Sequence, residues 1–360
     1  MTTPKVAIFY DWLNQWGGAE KVLLDIIKLY PNAPIYTLIH DPKKTKWLPK
    51  KTKIITSFIN KLPFSKNNPF FYTPLYSIAL EQFDFSNFDI IISTSSTIGH
   101  SLLIPPQGIF VCYLHNVNRH VYQKKYLYPF SKIISNYKKT DQIYAKRPDY
   151  LLCNSQTVQK RIENIYHRLA KVIYPGIDTS FFIPSLKESN EKYFLVVSRL
   201  VSHKKIDLAI KACHKLNKKL YIVGTGRDQN KLADLVNSLD DLNIKLLGNI
   251  DNQQLLHFYQ NCQALICPQL EDFGLTPIEA QACGKPVIAF NRGGLTETVI
   301  NNKTGVFFED QSVKSLILAI KKFNPKNFSK DICQKNAENF SSQSFMLNFK
   351  KEIDFIWKNH

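Results

Sequence analysis

Short apolar segments alternate with amphipathic ones along nearly the whole chain, and no other feature constrains the fold as much. The first series opens with the strand-like KVAIFYD and the helix-like GGAEKVLLDIIKLY, whose apolar residues recur every three or four positions. A second series runs from YFLVVSRL to FSSQSFMLNFKKEIDFIWKNH, a final helix predicted to be capped at Ser341 or Ser342. Repeated strand–helix order predicts parallel sheets with helices on both faces. Two series in 360 residues therefore predict two α/β domains.

The segment AKVIYPGIDTSFFIP separates the two series and is predicted to be a linker, because Pro175-Gly176 and Pro184 interrupt regular structure. We place the first domain at residues 1–172, the second at 173–338, and a terminal helix at 339–360. Two such domains leave a cleft, and ligands of α/β sheets bind beyond the carboxyl ends of the strands.

The segment EDFGLTPIEAQACGKPVIAFNRGG, residues 271–294, predicts two helix starts, each preceded by glycine. Thr276 fits an N-cap, Pro277 the first helical position and Glu279 the third, which together predict a capping box. Gly284 ends that helix. Helix N-termini close to glycine suit a phosphate or carboxylate group.

The two glutamates of this segment differ in what the pattern implies. Glu279 is explained by the capping box alone, so a structural role stays open for it. Glu271 follows the apolar strand at 264–267 and has no such local explanation. Its place at a strand end favours ligand binding.

Three further groups of residues are predicted at strand ends or helix starts. Gly17 and Gly18 precede the first helix, where backbone N–H groups can approach an anion, although a tight turn explains them equally well. Arg199 and Lys204 follow the first strand of the second series, and both side chains can neutralise phosphate. His115 ends a strand of the first series, and a structural role is the alternative for it.

Several classes of site are excluded or disfavoured. The segment GTGRD at 224–228 lacks the third glycine of a dinucleotide fingerprint, since Gln229 stands there. The chain contains no Asp-x-Asp and no P-loop, and its seven cysteines are scattered. We therefore expect no metal and no cofactor. The absence of a signal peptide or an apolar span predicts a reduced, cytoplasmic setting.

Positive charge is concentrated in the first half of a chain whose net charge is +18. Residues 42–66 hold eight lysines and no acidic residue, and the aromatic NPFFYTPLY follows soon after. Lysines beside aromatic residues suit an anionic membrane surface, which predicts a peripheral site at Lys43–Lys66 on the inner face of the plasma membrane. A solvated surface is the alternative. No recognition motif supports nucleic acid as a partner.

Four motifs together resemble those of the retaining glycosyltransferases of family 4, which have the GT-B fold. They are the Glu-x7-Glu pattern of Glu271 and Glu279, and the segments SRLVSHKKIDLAIKA, LGNIDNQQL and FNRGGLTETV, in the family's order and spacing. The resemblance covers nearly the whole chain. It implies two Rossmann-like domains facing a central cleft, an acceptor-binding first domain, a second domain that binds a nucleotide sugar, and a last helix that crosses back to the first.

The resemblance also implies roles for the candidate residues. Arg199 and Lys204 would hold the donor diphosphate. Glu271 would bind hydroxyl groups of the transferred sugar, and His115 would lie near it. The remaining donor-binding positions would be Gly17 and Gly18 at the diphosphate, the backbone around Ile250 at the base, Gly274, Leu275 and Thr276 at the phosphates, and Glu279 at the ribose.

The segments PVIAFNRGGLTETV and EDFGLTPIEAQACG resemble bacterial mannosyltransferases that build O-antigen and other surface polysaccharides. This implies GDP-mannose as donor and a lipid-linked or glycan acceptor. Two departures leave the sugar open. The family's Thr-Pro-Met-Arg is replaced by the segment at 116–119, Asn-Val-Asn-Arg, and Asn291 replaces a usual glycine.

The implied reaction is metal-independent transfer with retention, in which Arg199, Lys204 and a helix start stabilise the charge of the leaving diphosphate. Three alternatives stay open: a UDP-sugar donor, a sugar-nucleotide epimerase, and a sugar-nucleotide sensor without turnover. A phosphorylase is disfavoured because no motif for a pyridoxal-phosphate lysine is present.

Overall fold

The computed structural model describes residues 3–122, 131–186 and 191–360, except for the side chains of 119, 120 and 131–135. The chain divides into two compact units. Unit 1 comprises Met1–Tyr174 and Phe345–His360, and unit 2 comprises Pro175–Ser344. These divisions lie within a few residues of the boundaries drawn from the sequence.

Unit 1 is built on a seven-stranded parallel sheet. Its strands are β1 (Val6–Leu13), β2 (Ile35–His40), β3 (Ile54–Thr56), β4 (Ile90–Ser95), β5 (Ile109–Leu114), β6 (Tyr150–Cys153) and β7 (Lys171–Val172), in the spatial order β3-β2-β1-β4-β5-β6-β7. Its helices within the first segment are α1 (Gly18–Leu29), α2 (Tyr76–Glu81), α3 (Arg119–Tyr122), α4 (Ser131–Tyr144) and α5 (Gln156–Tyr166).

Unit 2 is built on a six-stranded parallel sheet. Its strands are β8 (Tyr193–Val197), β9 (Lys219–Val223), β10 (Ile244–Gly248), β11 (Ala264–Cys267), β12 (Val287–Phe290) and β13 (Gly305–Phe308), in the order β10-β9-β8-β11-β12-β13. Its helices are α6 (Ile206–Lys215), α7 (Gln229–Ser238), α8 (Asn252–Asn261), α9 (Leu275–Ala282), α10 (Leu295–Thr298), α11 (Val313–Lys322) and α12 (Lys330–Glu338).

The final helix, α13 (Ser342–Asn359), starts in unit 2 and continues into unit 1. Ser341 caps it, since the Ser344 N–H donates to Ser341 Oγ at 3.1 Å. One face of α13 is apolar and buried in the core of unit 1, where the rings of Phe345 and Phe349 pack edge-to-face against Tyr113 of β5. The burial of this stripe explains why the C-terminal helix belongs to the first sheet.

The strand–helix order predicted from the sequence is confirmed, and the fold class of two Rossmann-like α/β units is correct. The sequence pattern missed β3, which pairs with β2 inside the lysine-rich segment. Here two isoleucines and a threonine favour an extended strand, but the surrounding lysines hide the apolar signal. Within the described ranges, none of the helices is both long and apolar enough to cross a membrane.

Candidate functional site

The strand order of unit 2 reverses between β8 and β11. From β8 the chain proceeds outward to β9 and β10, and it then returns to add β11 on the other side. The loops that leave these two strands diverge, and such a switch point is where open α/β sheets bind ligands. Arg199 and Lys204 follow β8, and Glu271 follows β11, so the structure places all three predicted residues at this point.

Lys204 and Glu271 meet across the switch point. The Lys204 ammonium lies 2.5 Å from Glu271 Oε1, and the side chains are only 12% and 17% exposed. Gln269 donates to the same oxygen at 2.8 Å. The family resemblance implies Lys204 at the diphosphate and Glu271 at the sugar, and no local sequence pattern predicts that the two pair directly.

The loop that carries Arg199 is held by backbone contacts to the end of β9 and to the loop that follows it. Ser198 N–H donates to Val223 and Leu200 N–H donates to Thr225. An added Cβ at Gly224 would lie 2.0 Å from the Ser198 carbonyl oxygen, and one at Gly226 would lie 2.2 Å from that of Leu200. The two glycines of GTGRD therefore serve this close packing.

Arg199 itself is exposed. Its side chain makes no hydrogen bond or ion pair with the part of the chain that the structure describes. A guanidinium held on a fixed loop and open to solvent can bind an anionic ligand without first breaking an internal ion pair.

Helix α9 begins two residues earlier than the sequence predicts, and the predicted capping box is wrong. Its N-cap is Gly274, whose φ of 96° favours glycine, and no side chain caps the helix. Thr276 lies inside the first turn, where its side chain faces Cys267 at the end of β11. The first N–H groups of α9, those of Leu275 and Thr276, have no intrahelical partner and suit an anion.

Glu279 is not a capping residue either. It is 2% exposed, and Tyr259 of α8 donates its hydroxyl to Glu279 Oε2 at 2.8 Å. Burial, and then the neighbouring carboxylate, hold the pKa of Tyr259 well above its usual value. This pair joins α8 to α9, and only the three-dimensional fold reveals it, because twenty residues separate its members.

The loops that precede α9 and α10 lie against each other, as the sequence predicted for two neighbouring helix starts. Gly293 pairs with Glu271 in an isolated bridge, and Gly294 N–H donates to the Glu271 carbonyl at 2.9 Å. An added Cβ at Gly294 would lie 2.4 Å from the Asp272 carbonyl oxygen. Glycine is therefore needed to hold the backbone of Glu271 in place. Ile250, the predicted contact of a base, is half-buried between β10 and α8.

In unit 1 the strand order reverses between β1 and β4, and Gly17 and Gly18 follow β1. Gly17 is the N-cap of α1 and Gly18 its first residue. The carboxylate of Glu20 is buried beneath this turn, where it accepts hydrogen bonds from Tyr10 at 2.6 Å and Gln15 at 3.0 Å. These contacts tie the glycine turn to β1.

The sequence analysis missed Asp11, a buried carboxylate at the same switch point. It accepts hydrogen bonds from Ser95 Oγ at 2.7 Å, Ser96 N–H at 2.9 Å and Gly99 N–H at 3.1 Å. Burial raises the pKa of Asp11, and these donors oppose that rise. Asp11 therefore fixes the loop after β4, and no local pattern could reveal it because its partners lie more than eighty residues away.

His115 directly follows β5, as predicted, and is 8% exposed. Its Nε2 lies 2.9 Å from Thr94 Oγ1, and its backbone carbonyl accepts a hydrogen bond from Asn154 at 3.0 Å. The imidazole is therefore held at the carboxyl edge of the first sheet. Asn118 lies near it in sequence, and Arg119 begins α3 with a side chain outside the described residues.

A cavity of about 340 Å³ opens at this edge of unit 1. The aromatic Phe70, Phe71 and Tyr76 are among its lining residues, together with polar side chains such as Asn118 and Asp141. This size and composition are typical of a site for a small, partly apolar ligand.

The lysine-rich segment is a surface of unit 1. All eight of its lysines are exposed, as are Phe64 and Phe71, which are 77% and 76% exposed.

In the ranges that the structure covers, no three His, Cys, Asp or Glu side chains cluster in a way that could hold a metal ion.

The fold and these two sites define a class: the chain has the GT-B architecture of glycosyltransferases. It superimposes on sucrose-phosphate synthase from Thermosynechococcus elongatus with a TM-score of 0.78 over 99% of both chains, at 17% identity. It also superimposes on Anabaena HepE in complex with UDP and glucose, with a TM-score of 0.75 over 97% of this chain and 99% of the other, at 19% identity.

Within that class, two glycosyltransferase family models match successive halves of the chain. Residues 16–181 match the model of Glycosyltransferase Family 4, and residues 178–340 match that of Glycosyl transferases group 1. Both models are of glycosyltransferases, in agreement with the predicted class of enzyme.

Three relatives illustrate the breadth of this family. An uncharacterized glycosyltransferase of Methanocaldococcus jannaschii is 28% identical over 169 residues, 47% of each protein. An alpha-1,3/1,6-mannosyltransferase of Dictyostelium discoideum is 28% identical over 56% of this chain and 59% of the relative. An uncharacterized 41.2 kDa protein in the cps region of Klebsiella pneumoniae is 26% identical over 78% of this chain and 82% of the relative. The chain thus spans about half the length of the first two of these relatives.

Proposed function

We propose that the protein transfers a hexose from a nucleotide sugar to an acceptor, with retention of anomeric configuration and without a metal ion. The arrangement at the switch point of unit 2 carries this proposal. The Lys204–Glu271 pair, the exposed Arg199 and the glycine-led start of α9 all lie at the carboxyl edge of one sheet. Together they offer cations and N–H groups for a diphosphate, and a carboxylate for sugar hydroxyls.

The chemistry requires stabilisation of the leaving group. As the bond between the sugar and the diphosphate breaks, negative charge grows on the phosphate oxygens. Arg199, Lys204 and the N–H groups of Leu275 and Thr276 stabilise that charge in this proposal, and fixed donors of this kind are often the largest contribution to such a reaction. Glu271 binds the sugar, Glu279 the ribose, and the backbone at Ile250 the base.

For the donor we propose GDP-mannose. The Dictyostelium relative is named as a mannosyltransferase, and the motifs around Glu271 resemble bacterial mannosyltransferases. A UDP-sugar is the alternative, because the structurally similar HepE was solved with UDP and glucose. The Klebsiella relative is a protein of the cps region, which agrees with a role in surface polysaccharide synthesis.

For the acceptor we propose a lipid-linked glycan, bound at the carboxyl edge of unit 1 near His115. The cavity lined by Phe70, Phe71 and Tyr76 suits the apolar part of such a molecule. The exposed lysines of residues 43–66 suit an anionic membrane surface on the cytosolic side.

A panel of GDP-mannose, UDP-glucose and UDP-galactose tests the donor. Binding is measured by calorimetry, and transfer is measured with a cell lipid extract, with the anomeric configuration of the product read by NMR. We expect transfer from GDP-mannose that depends on the extract. Turnover of the donor without an acceptor would instead indicate an epimerase, and binding without turnover would indicate a sensor.

Glu271→Gln, with Glu338→Gln as a control on the exposed surface, tests the role of the switch point. We expect the first variant to lose transfer and the second to keep it. Transfer should persist in EDTA, because the charged groups proposed for the diphosphate belong to the protein. Loss in EDTA with rescue by Mg²⁺ would overturn the metal-independent proposal.

A further inference from the structure

Gln269 lies between β11 and Glu271, and its side chain is buried, with 2% of the residue exposed. Its amide nitrogen donates to Glu271 Oε1 at 2.8 Å. The orientation of this amide is defined chemically, because a carboxylate only accepts hydrogen bonds and the nitrogen must face it.

The other end of the same amide is unusual. Gln269 Oε1 is buried and has no hydrogen-bond partner among the described residues. A buried carbonyl without a partner lowers stability, and an apolar side chain of similar shape would avoid that cost. What glutamine provides here, and an apolar residue would not, is the hydrogen bond to Glu271.

The remaining contacts of Glu271 show what this hydrogen bond contributes. The backbone of Glu271 is already held by Gly294 N–H at 2.9 Å. The orientation of the carboxylate is set by its side-chain partners. Lys204 is one of them, and a lysine ammonium is a point charge that does not define the plane of a carboxylate. The rigid, planar amide of Gln269 adds that direction.

We propose that Gln269 is a positioning residue: with Lys204, it holds one oxygen of Glu271 and so orients the carboxylate for the hydroxyl groups of the donor sugar. This inference rests on the proposed function. It assigns Gln269 no contact with the substrate, and its effect is confined to interactions with the sugar.

Comparison of a nucleotide sugar with its bare nucleotide isolates that effect. Calorimetry with GDP-mannose and with GDP gives the gain in affinity that is due to the sugar. If the donor panel shows that the protein uses a UDP-sugar, UDP-glucose and UDP take their place. In Gln269→Leu the carboxylate of Glu271 loses its orientation, so one hydrogen bond between it and a sugar hydroxyl should be lost. The gain in affinity due to the sugar should then fall about tenfold, and the affinity for the bare nucleotide should stay unchanged. Gln311→Leu is the matched control, because Gln311 donates to the neighbouring Pro268 carbonyl and not to Glu271.

Gln269→Glu gives a second signature that loss of packing cannot imitate. Two carboxylates at this distance repel each other, so the introduced carboxyl group has a raised pKa. When protonated, it can donate to Glu271 Oε1 as the amide does. The affinity of this variant for the nucleotide sugar should therefore recover as the pH falls from about 8 to about 5.5, unlike that of the wild type.

The outcomes separate the inference from the proposed function. If the wild type gains no affinity from any sugar in the panel, the proposed function fails, and the inference fails with it. If the wild type gains affinity but Gln269→Leu keeps that gain, the inference alone is overturned. A pH response of Gln269→Glu parallel to that of the wild type would also overturn it, and this comparison needs only that variant to fold.

Discussion

At the scale of single residues, Arg199 offers the sharpest test of the diphosphate site, because it is exposed and its loop is fixed by backbone contacts. Arg199→Ala removes hydrogen bonds to a charged ligand worth about 1.5–3 kcal/mol each. Since the charge grows in the transition state, we expect kcat to fall about 100-fold or more, and donor affinity to fall less. Steady-state kinetics with the preferred donor measure both.

Arg227→Ala is the control for that experiment. Arg227 is also exposed, at 68% of its side chain, and lies in a neighbouring loop. It should retain kcat within about threefold. Unchanged kcat in Arg199→Ala would remove Arg199 from the site.

Glu279 has a structural contact with Tyr259, so its proposed role at the ribose must be separated from stability. Glu279→Gln keeps an acceptor for the Tyr259 hydroxyl but replaces an ionic hydrogen bond to ribose with a neutral one. We expect nucleotide affinity to fall about tenfold, with little change in unfolding free energy. Calorimetry and urea denaturation of the same samples decide this, and a variant with reduced stability and normal affinity would leave Glu279 a structural residue.

At the scale of elements, the contact between the loops before α9 and α10 predicts a sensitive position. Gly294→Ala places a Cβ 2.4 Å from backbone atoms of Asp272 and Phe273, which cannot move aside as a side-chain tip can. The Glu271 loop must shift, and we expect transfer to fall at least tenfold, because small displacements of a binding group cost rate.

The same substitution at Gly108 serves as the comparison. There the nearest atom to the added Cβ is the end of the Ile91 side chain, at 3.2 Å, and the glycine lies in unit 1 away from the Glu271 loop. Gly108→Ala should keep transfer near the wild-type rate. A Gly294→Ala protein with full activity would show that the loop contact does not position Glu271.

The elements also show what sequence can predict. Strand and helix order follows from apolar periodicity, which is a local property, and the candidate residues at strand ends follow from that order. The sequence misplaces the start of α9 because the helix begins after Gly274. The backbone of Gly274 has a positive φ and lies against Leu295 of α10, and neither property can be read from the local pattern. Asp11 and Gln269 were missed for a related reason. Their significance lies in hydrogen bonds that exist only once the loops are folded.

At the scale of the whole molecule, the lysine-rich surface predicts reversible binding to membranes. Each lysine near an anionic surface contributes about 1 kcal/mol, so a few together give measurable binding that salt weakens. We expect co-sedimentation with anionic vesicles at low salt, release as salt rises, and none with neutral vesicles. Binding should be lost when six lysines are changed to glutamine: Lys43, Lys44, Lys46, Lys50, Lys51 and Lys53.

A matched variant controls for net charge. It replaces six exposed lysines of unit 2 with glutamine: Lys218, Lys231, Lys245, Lys303, Lys314 and Lys326. This variant should still co-sediment. Equal binding to neutral and anionic vesicles, or loss in both variants alike, would leave residues 43–66 as a solvated surface.

The final helix packs on one face of the sheet of unit 1. Unit 2 is therefore an insertion between the two segments of unit 1. Residues 175–344 form a continuous segment, so that unit can build its core from one stretch of the chain. Unit 1 cannot, because one face of its sheet needs Phe345, Phe349 and Ile353, which follow unit 2 in the chain. The unit that begins first is thus finished second, and a nascent chain halted before residue 345 carries an uncovered apolar surface that a chaperone would recognise.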